Sequence, residues 1–174
     1  MTMFGFLFPK MSSNFVRIPL DSPGRLYASP MPYGPYDPFN RLLSDYRKRR
    51  IDVVVPLVTD DEVEKKAAKN IFKVYEKEGF QVVRFPIPDL TGPTMEEVTE
   101  SITQMALLLA RGKKMVVHCN AGLGRTGVVL ACVMAEIEKK SGDEAMKAIK
   151  EHLNLNMTDE QIRFVRKWTA AAAD

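Results

Sequence analysis

The sequence predicts an α/β fold, a single domain with a largely parallel central sheet flanked by helices. Three observations carry that expectation. From residue 51 onward, apolar runs of strand length alternate with segments of helical periodicity, the pattern of a mostly parallel sheet covered on both faces. A chain of 174 residues is long enough to bury one ordinary core. The strand Met115–His118 passes through a loop of small residues directly into an apolar helix.

The elements follow in order. The first fifty residues hold seven of the eleven prolines and read as a turn-rich entry, with short strands around Phe15–Leu20 and Arg25–Ser29. Phe39, Leu42, Leu43 and Tyr46 give an inward stripe to a helix over Phe39–Arg50. Ile51–Leu57 is a β-branched strand. Val63, Ala67, Ile71, Val74 and Tyr75 share one face of a helix predicted over Asp60–Glu78. Phe80–Ile87 reads as the next strand, followed by the loop Pro88–Pro93. Thr94 and Glu97 form a capping box that opens a helix to about Arg111, which Gly112 stops. After strand Met115–His118 come helices over Thr126–Lys140, Asp143–His152 and Asp159–Ala173. Residues 1–14 are expected to be an N-terminal extension, its flexibility left open, and residues 15–174 the functional domain.

Composition narrows the function. A net charge of +3 with scattered basic residues gives no nucleic-acid footprint. No apolar run approaches the ~18 residues of a membrane span. The hydrophobic opening Met1–Phe8 has no basic region before it and no clear cleavage site after it, so it reads as a poor signal peptide. Two cysteines without paired spacing describe neither a disulfide framework nor a zinc site, and the expected location is a reducing cytoplasm. Arg47-Lys48-Arg49-Arg50 is the one dense charge run. It reads as a solvated cationic helix end, with docking to an acidic surface as the alternative.

In parallel sheets ligands bind beyond the carboxyl ends of the strands, so the loops after Leu57, Ile87 and His118 should share one edge. The loop after His118 is the informative one. Asn120, Ala121, Gly122, Leu123 and Gly124 precede Arg125 at a helix start, which gathers backbone N–H groups and the positive helix end around one point. That is a cradle for a phosphate or sulfate dianion. It is not the ATP-binding loop, since no Gly-Lys-Ser/Thr follows, nor the dinucleotide fingerprint, which needs a third glycine. A guanidinium grips two phosphate oxygens at once, and such surroundings favour the thiolate form of a cysteine in general. Cys119 is therefore read as a nucleophile rather than a core thiol, and Cys132, on the apolar helix face with Val129 and Val133, as core.

His118-Cys119-Asn120-Ala121-Gly122-Leu123-Gly124-Arg125-Thr126-Gly127 resembles the signature of the cysteine-dependent protein tyrosine phosphatases, and Val128-Val129-Leu130-Ala131-Cys132 resembles their small dual-specificity branch. The likeness covers about residues 15–168. It implies a protein tyrosine phosphatase-like fold, a cysteinyl-phosphate intermediate and no cofactor or metal. It also implies a phosphorylated protein as substrate, phosphotyrosine and also phosphoserine or phosphothreonine.

Family members carry an aspartate in a loop about thirty residues before the cysteine, and Asp89, in Pro86-Ile87-Pro88-Asp89-Leu90, stands at that interval. A general acid there supplies the leaving group's proton. Asp60 and Asp61 compete by position but fit a helix start. The Thr126 hydroxyl is a candidate donor to the thiolate, and His118 a support that orients loop backbone. His152 reads as a surface residue. Gln161 resembles the glutamine that places the attacking water in related enzymes, while Thr158 and Gln161 equally make a capping box.

Three alternatives stand beside this reading. One is a phosphate-binding module without catalysis, and another a sulfur-transfer or arsenate-reducing enzyme. The third is a phosphoinositide phosphatase, against which the neutral Asn120, Ala121 and Leu123 argue, since such enzymes often carry lysines in the loop. Oligomeric state is not legible.

Overall fold

A computed structural model describes residues 15–172. The extension expected over residues 1–14, the opening segment Met1–Phe8 and the last residue of the final predicted helix, Ala173, lie outside the described residues. The order is β1 (Val16–Ile18), β2 (Arg25–Ser29), α1 (Leu42–Arg49), β3 (Val53–Pro56), α2 (Asp60–Lys66), α3 (Ile71–Glu78), β4 (Gln81–Val82), α4 (Met95–Ala110), β5 (Lys114–His118), α5 (Arg125–Glu138), α6 (Gly142–Lys150) and α7 (Asp159–Ala171). The strands form one five-stranded sheet in the order β1-β2-β5-β3-β4, with β1 antiparallel to β2 and every other pairing parallel.

The period-2 alternation of the strands sorts the core into two layers. Leu26, Ala28, Val53, Val55, Met115 and Val117 face one side, where α4, α5, α6 and α7 supply Leu109, Val129, Ile149 and Trp168. Tyr27, Val54 and Val116 face the other, against Leu43 and Tyr46 of α1, Val63 of α2 and Tyr75 of α3. Helix α5 packs against α4, α6 and α7 and is buried from Arg125 to Ala135, as a helix apolar on all sides must be.

Register fixes the functional edge. His118 pairs with both Ser29 and Pro56, so β2, β5 and β3 end level. The segment after β4 reaches the same edge, because Ile87 N donates to Leu57 O.

The structure departs from the sequence-based expectation in three places. The helix predicted over Asp60–Glu78 is two helices, broken at Ala67, where the backbone turns extended, and restarted by Asn70, whose side chain caps Phe72 N and Lys73 N. The strand predicted over Phe80–Ile87 is ladder-paired only at Gln81–Val82. It then runs on beside β3 with bonds from Val83 N and Phe85 N, while Pro56 of β3 has no N–H to return to Val83 O and complete the ladder. Phe39, assigned to the inward stripe of α1, lies outside the helix and is 56% exposed. Asp37, buried in its place, accepts from Tyr33 N and Arg41 N and shapes the turn that leads into α1.

The α1 charge run lies in the helix's last turn, where cations suit the dipole, and Arg47 also pairs with Glu78 of α3.

Two glycines test this packing. A Cβ on Gly24 would sit 2.5 Å from Lys113 O and 2.6 Å from Leu109 O, backbone atoms that cannot swing away, whereas Gly79 has φ +74° with nothing within 4 Å. Gly24→Ala should cost about 3 kcal/mol of stability by overpacking. Gly79→Ala should cost about 1 kcal/mol through its left-handed backbone. Urea unfolding of both variants checks the order; equal costs would contradict the tight seat of β2 on the end of α4.

Candidate active site

The glycine loop leaves β5 with its first carbonyl fixed, since Leu57 N donates to His118 O. Met31 N donates to Asn120 O, tying the loop to the residues after β2. Gly122 has φ +81°, and a Cβ there would meet Ser29 O at 2.5 Å, so only glycine fits both the backbone angle and the space. On the far side Asn156 N donates to Leu123 O, and Gly124 lies against Asn156 O and the Gln161 side chain. The loop is wedged between the end of β2 and the α6–α7 connection.

Inside it, Cys119 is 3% exposed, and its Sγ accepts from Gly122 N at 3.2 Å. Asn120, Ala121, Gly122, Leu123 and Gly124 form the turn between that sulfur and the first residue of α5, Arg125.

Arg125 is 2% exposed, and a buried cation needs partners. Its Nη1 and Nη2 donate end-on to the two carboxylate oxygens of Glu62 at 2.7 and 2.8 Å, and Nη1 also donates to Ile87 O at 2.8 Å. A guanidinium has five donors. Those three commitments leave Nε–H and the outer Nη2 proton, the side-on fork that suits a second anion. Asp89 Oδ1 stands 3.2 Å from Nη2, so the acid candidate does reach the loop's arginine. Lys66 Nζ completes the cluster, 3.6 Å from Glu62 and 3.9 Å from Asp89. Burial on its own would raise the Glu62 carboxyl, but the bonds from Arg125 and Thr59 and the charges of Arg125 and Lys66 hold it below its ordinary value. Burial likewise works against the Arg125 cation, and the Glu62 bond with the facing charges, Glu62 and Asp89 among them, raises it instead.

Glu62 is the site residue that the sequence reading missed. It is N3 of a capping box with Thr59, opening the helix directly after β3. A signal was present: an acidic N3 at the carboxyl end of a strand whose loop was expected on the ligand edge. The competing Asp60 and Asp61 lie in the first turn of α2, and Asp60 pairs with Arg84.

His118 is fully buried. Its Nδ1 lies 3.2 Å from Cys119 O and its Nε2 2.8 Å from Tyr75 Oη. A carbonyl only accepts, so Nδ1 carries the proton and Tyr75 donates to Nε2. Burial, with the nearby Arg125 charge, lowers the imidazole to about 4, against the Cys119 carbonyl bond that raises it, and His118 is neutral. Burial also pushes the Tyr75 phenol up, so it keeps its proton. Thr126 is fully buried in the first turn of α5, and its Oγ1 has no hydrogen-bond partner among the described residues, nor has Asn120 Oδ1. The bond from Thr126 to the sulfur, read from the motif, is not made here. Gln161 is 2% exposed and completes the Thr158 capping box through Oε1, while its Nε2 donates to Thr91 O, two residues past Asp89. Cys132 lies in the core, where burial pushes its thiol up.

A protein-family model described as "Tc-R-P: Polymorphic toxin system, DSP-PTPase phosphatase" matches residues 33–138. The chain belongs to this phosphatase family. It is 28% identical over 102 residues to cyclin-dependent kinase inhibitor 3 of Rattus norvegicus, an alignment that covers 58% of this chain and 48% of that protein. It is 26% identical over 123 residues to phosphatidylglycerophosphatase and protein-tyrosine phosphatase 1 of Mus musculus, covering 67% and 64%. The chain thus spans about half to two thirds of the length of these curated relatives. Among solved structures, a mutant form of Tk-PTP shares 30% identity with a TM-score of 0.72 over 86% of this chain and 92% of that one. Kinase associated phosphatase superposes with a TM-score of 0.80 at 18% identity, over 91% and 95%, a likeness of fold.

The neutral, buried His118 makes stability pH-dependent. The unfolded imidazole titrates near 6.5 and the folded one at about 4. As pH falls, the unfolded chain takes up the proton first, so this contribution is complete above about 6.5 and drains away toward 4. Between about pH 7 and pH 5 the wild type should lose on the order of 2 kcal/mol more than His118→Gln. Urea unfolding at the two pH values checks this; parallel losses would mean His118 is not buried neutral.

Proposed function

We propose that this chain hydrolyses phosphate monoesters on proteins, phosphotyrosine and also phosphoserine or phosphothreonine, through a cysteinyl-phosphate on Cys119. The observation that supports it most is the unspent fork of Arg125. Glu62 and the Ile87 carbonyl consume the guanidinium's other donors and leave Nε, with the Nη2 that faces Asp89, on the residue that closes the glycine loop. In this reading the substrate phosphate takes Nε and Nη2 together with the N–H groups of residues 120–125. At Nη2 it displaces the Asp89 carboxylate, which takes up a proton from solvent and in that acid form serves the leaving group.

In the first step the Cys119 thiolate attacks phosphorus, the P–O ester bond breaks, and Asp89 gives its proton to the departing oxygen. Water then attacks phosphorus, the S–P bond breaks, and Asp89 takes the water's proton. The buried Thr126 hydroxyl, without a partner, is available to donate to the sulfur as it departs. His118 acts through the backbone, pinning the Cys119 carbonyl rather than moving protons. No metal or cofactor enters any step.

Residues 15–174 form the catalytic domain in this account. The two cysteines are free thiols, which suits a cytoplasmic protein. Among the described residues no helix is long and apolar enough to cross a membrane.

With EDTA present, the wild type should release phosphate from phosphotyrosine peptides faster than from phosphoserine or phosphothreonine peptides or a phosphoinositide. Cys119→Ser should reduce every rate to background. Asp89→Asn should lower kcat/KM for phenyl phosphate about 10²–10⁴-fold, the typical weight of a general acid, and do less to an activated ester whose leaving group needs no proton. Release that survives Cys119→Ser would overturn the mechanism, and preference for the lipid would overturn the substrate class.

A further inference from the structure

We propose that Gln161 is a positioning residue for the acid loop. With Arg125 it clamps that loop on both sides of Asp89 and so holds the acid over the phosphate cradle. The inference rests on the phosphatase reading above and assigns Gln161 a task other than capping a helix or placing water.

The acid loop has no ladder of its own. After Val82 the chain runs through Pro86 and Pro88, and regular structure resumes only at α4. Between lie Asp89, with its side chain half exposed, and Leu90, at φ +64° and 68% exposed. Such a segment stays in place only if something holds it. Upstream of Asp89, Ile87 N donates to Leu57 O and Ile87 O accepts from Arg125 Nη1 at 2.8 Å. Downstream, Thr91 O accepts from Gln161 Nε2 at 3.1 Å, and a Cβ on Gly92 would touch the Phe164 ring at 3.4 Å. Thr91 and Gly92 therefore rest on the first two turns of α7. Pro88, Asp89 and Leu90 are left as a short arch between two side-chain donors, closed locally by Thr91 N and Oγ1 to Pro88 O.

Both donors belong to the walls of the cradle. Arg125 closes the loop, and Gln161 lies beside Gly124, where a Cβ would come within 3.3 Å of Oε1. The clamp thus registers the acid against the same loop that would bind phosphate.

Residue choice agrees. The described chain has four capping boxes, and the N3 residue is Glu62, Glu97, Glu144 and Gln161. Glu97 and Glu144 only return to their caps. Capping alone is served by glutamate or glutamine. At position 161 the amide accepts from Thr158 N with its oxygen and donates to Thr91 O with its nitrogen, which a carboxylate cannot do. A carboxylate there would also place a negative charge against Gly124 of the cradle.

The test uses two substitutions that remove the donor for different reasons. Gln161→Glu keeps the capping box but adds charge; Gln161→Met stays neutral but loses the side-chain half of the box. The readouts are kcat/KM, which reports only the steps up to phosphoryl transfer to sulfur, for 4-nitrophenyl and phenyl phosphate, and amide exchange over residues 89–92. In both variants the ratio of kcat/KM for 4-nitrophenyl to phenyl phosphate should rise about tenfold or more, as a misplaced acid requires. Exchange at residues 89–92 should quicken in both. An unchanged ratio with slower kcat would assign Gln161 to the water step and overturn the clamp. A uniform fall confined to Gln161→Glu would reduce the effect to charge and overturn it too. Should the wild type hydrolyse neither ester, the phosphatase reading fails, and unchanged exchange in the variants would separately sink the clamp.

Discussion

A single buried cation organises this molecule's functional edge. Arg125 is almost wholly removed from water, and an unpaired guanidinium in that place would cost several kcal/mol. The fold answers with a carboxylate from the helix after β3 and a backbone carbonyl from the segment after β4. Breaking such an ion pair by removing one partner typically costs about 3–5 kcal/mol, the penalty of the charge left unpaired, so Glu62 and the guanidinium are held to each other. Satisfying the arginine therefore assembles the site: its partners bring α2 and the Asp89 loop to the mouth of the glycine loop, and Nε with the Nη2 that faces Asp89 is what remains for an anion.

The second organising device is the capping box put to double use. Helices α2 and α7 both start at this edge, and each carries its N3 side chain inward. Glu62 caps Thr59 and also neutralises Arg125; Gln161 caps Thr158 and also reaches Thr91. In α4 and α6 the same box faces solvent and does only the local task. A helix start is a rigid place from which to aim a side chain, because the cap fixes its rotamer before any ligand arrives.

The residues that were legible in the sequence are those whose partners lie nearby in the chain. Cys119, the two glycines, Arg125 and Thr126 fall within eight positions, and the strand-to-helix context that gives them meaning is adjacent. The sheet was legible for a similar reason, since Val53–Val55 is a β-branched run and Met115–Val117 an apolar run of strand length. Glu62 was not found, because its meaning depends on a partner 63 residues away, while its local spacing already had a sufficient explanation as a cap. Gln161 has two equal readings in the sequence for the same reason, its second contact being 70 residues distant. Asp89 could be picked by interval, yet nothing in the sequence said which groups hold its loop. The break between α2 and α3 was hidden because Ala67 and Ile71 keep the helical stripe, while Asn70 reads as ordinary until its cap is visible. Phe39 was misplaced by periodicity alone, which does not show that Asp37 takes the buried position at the turn.

The account stands or falls on a phosphoryl group resting on one sulfur. Acid quenching the protein during turnover of an aryl phosphate, followed by peptide mass measurement, would trap that species. The account predicts the mass of one phosphoryl group on the peptide containing Cys119, lost in Cys119→Ser. A steady release of phosphate with no adduct on that peptide, or with the adduct on another residue, would contradict it.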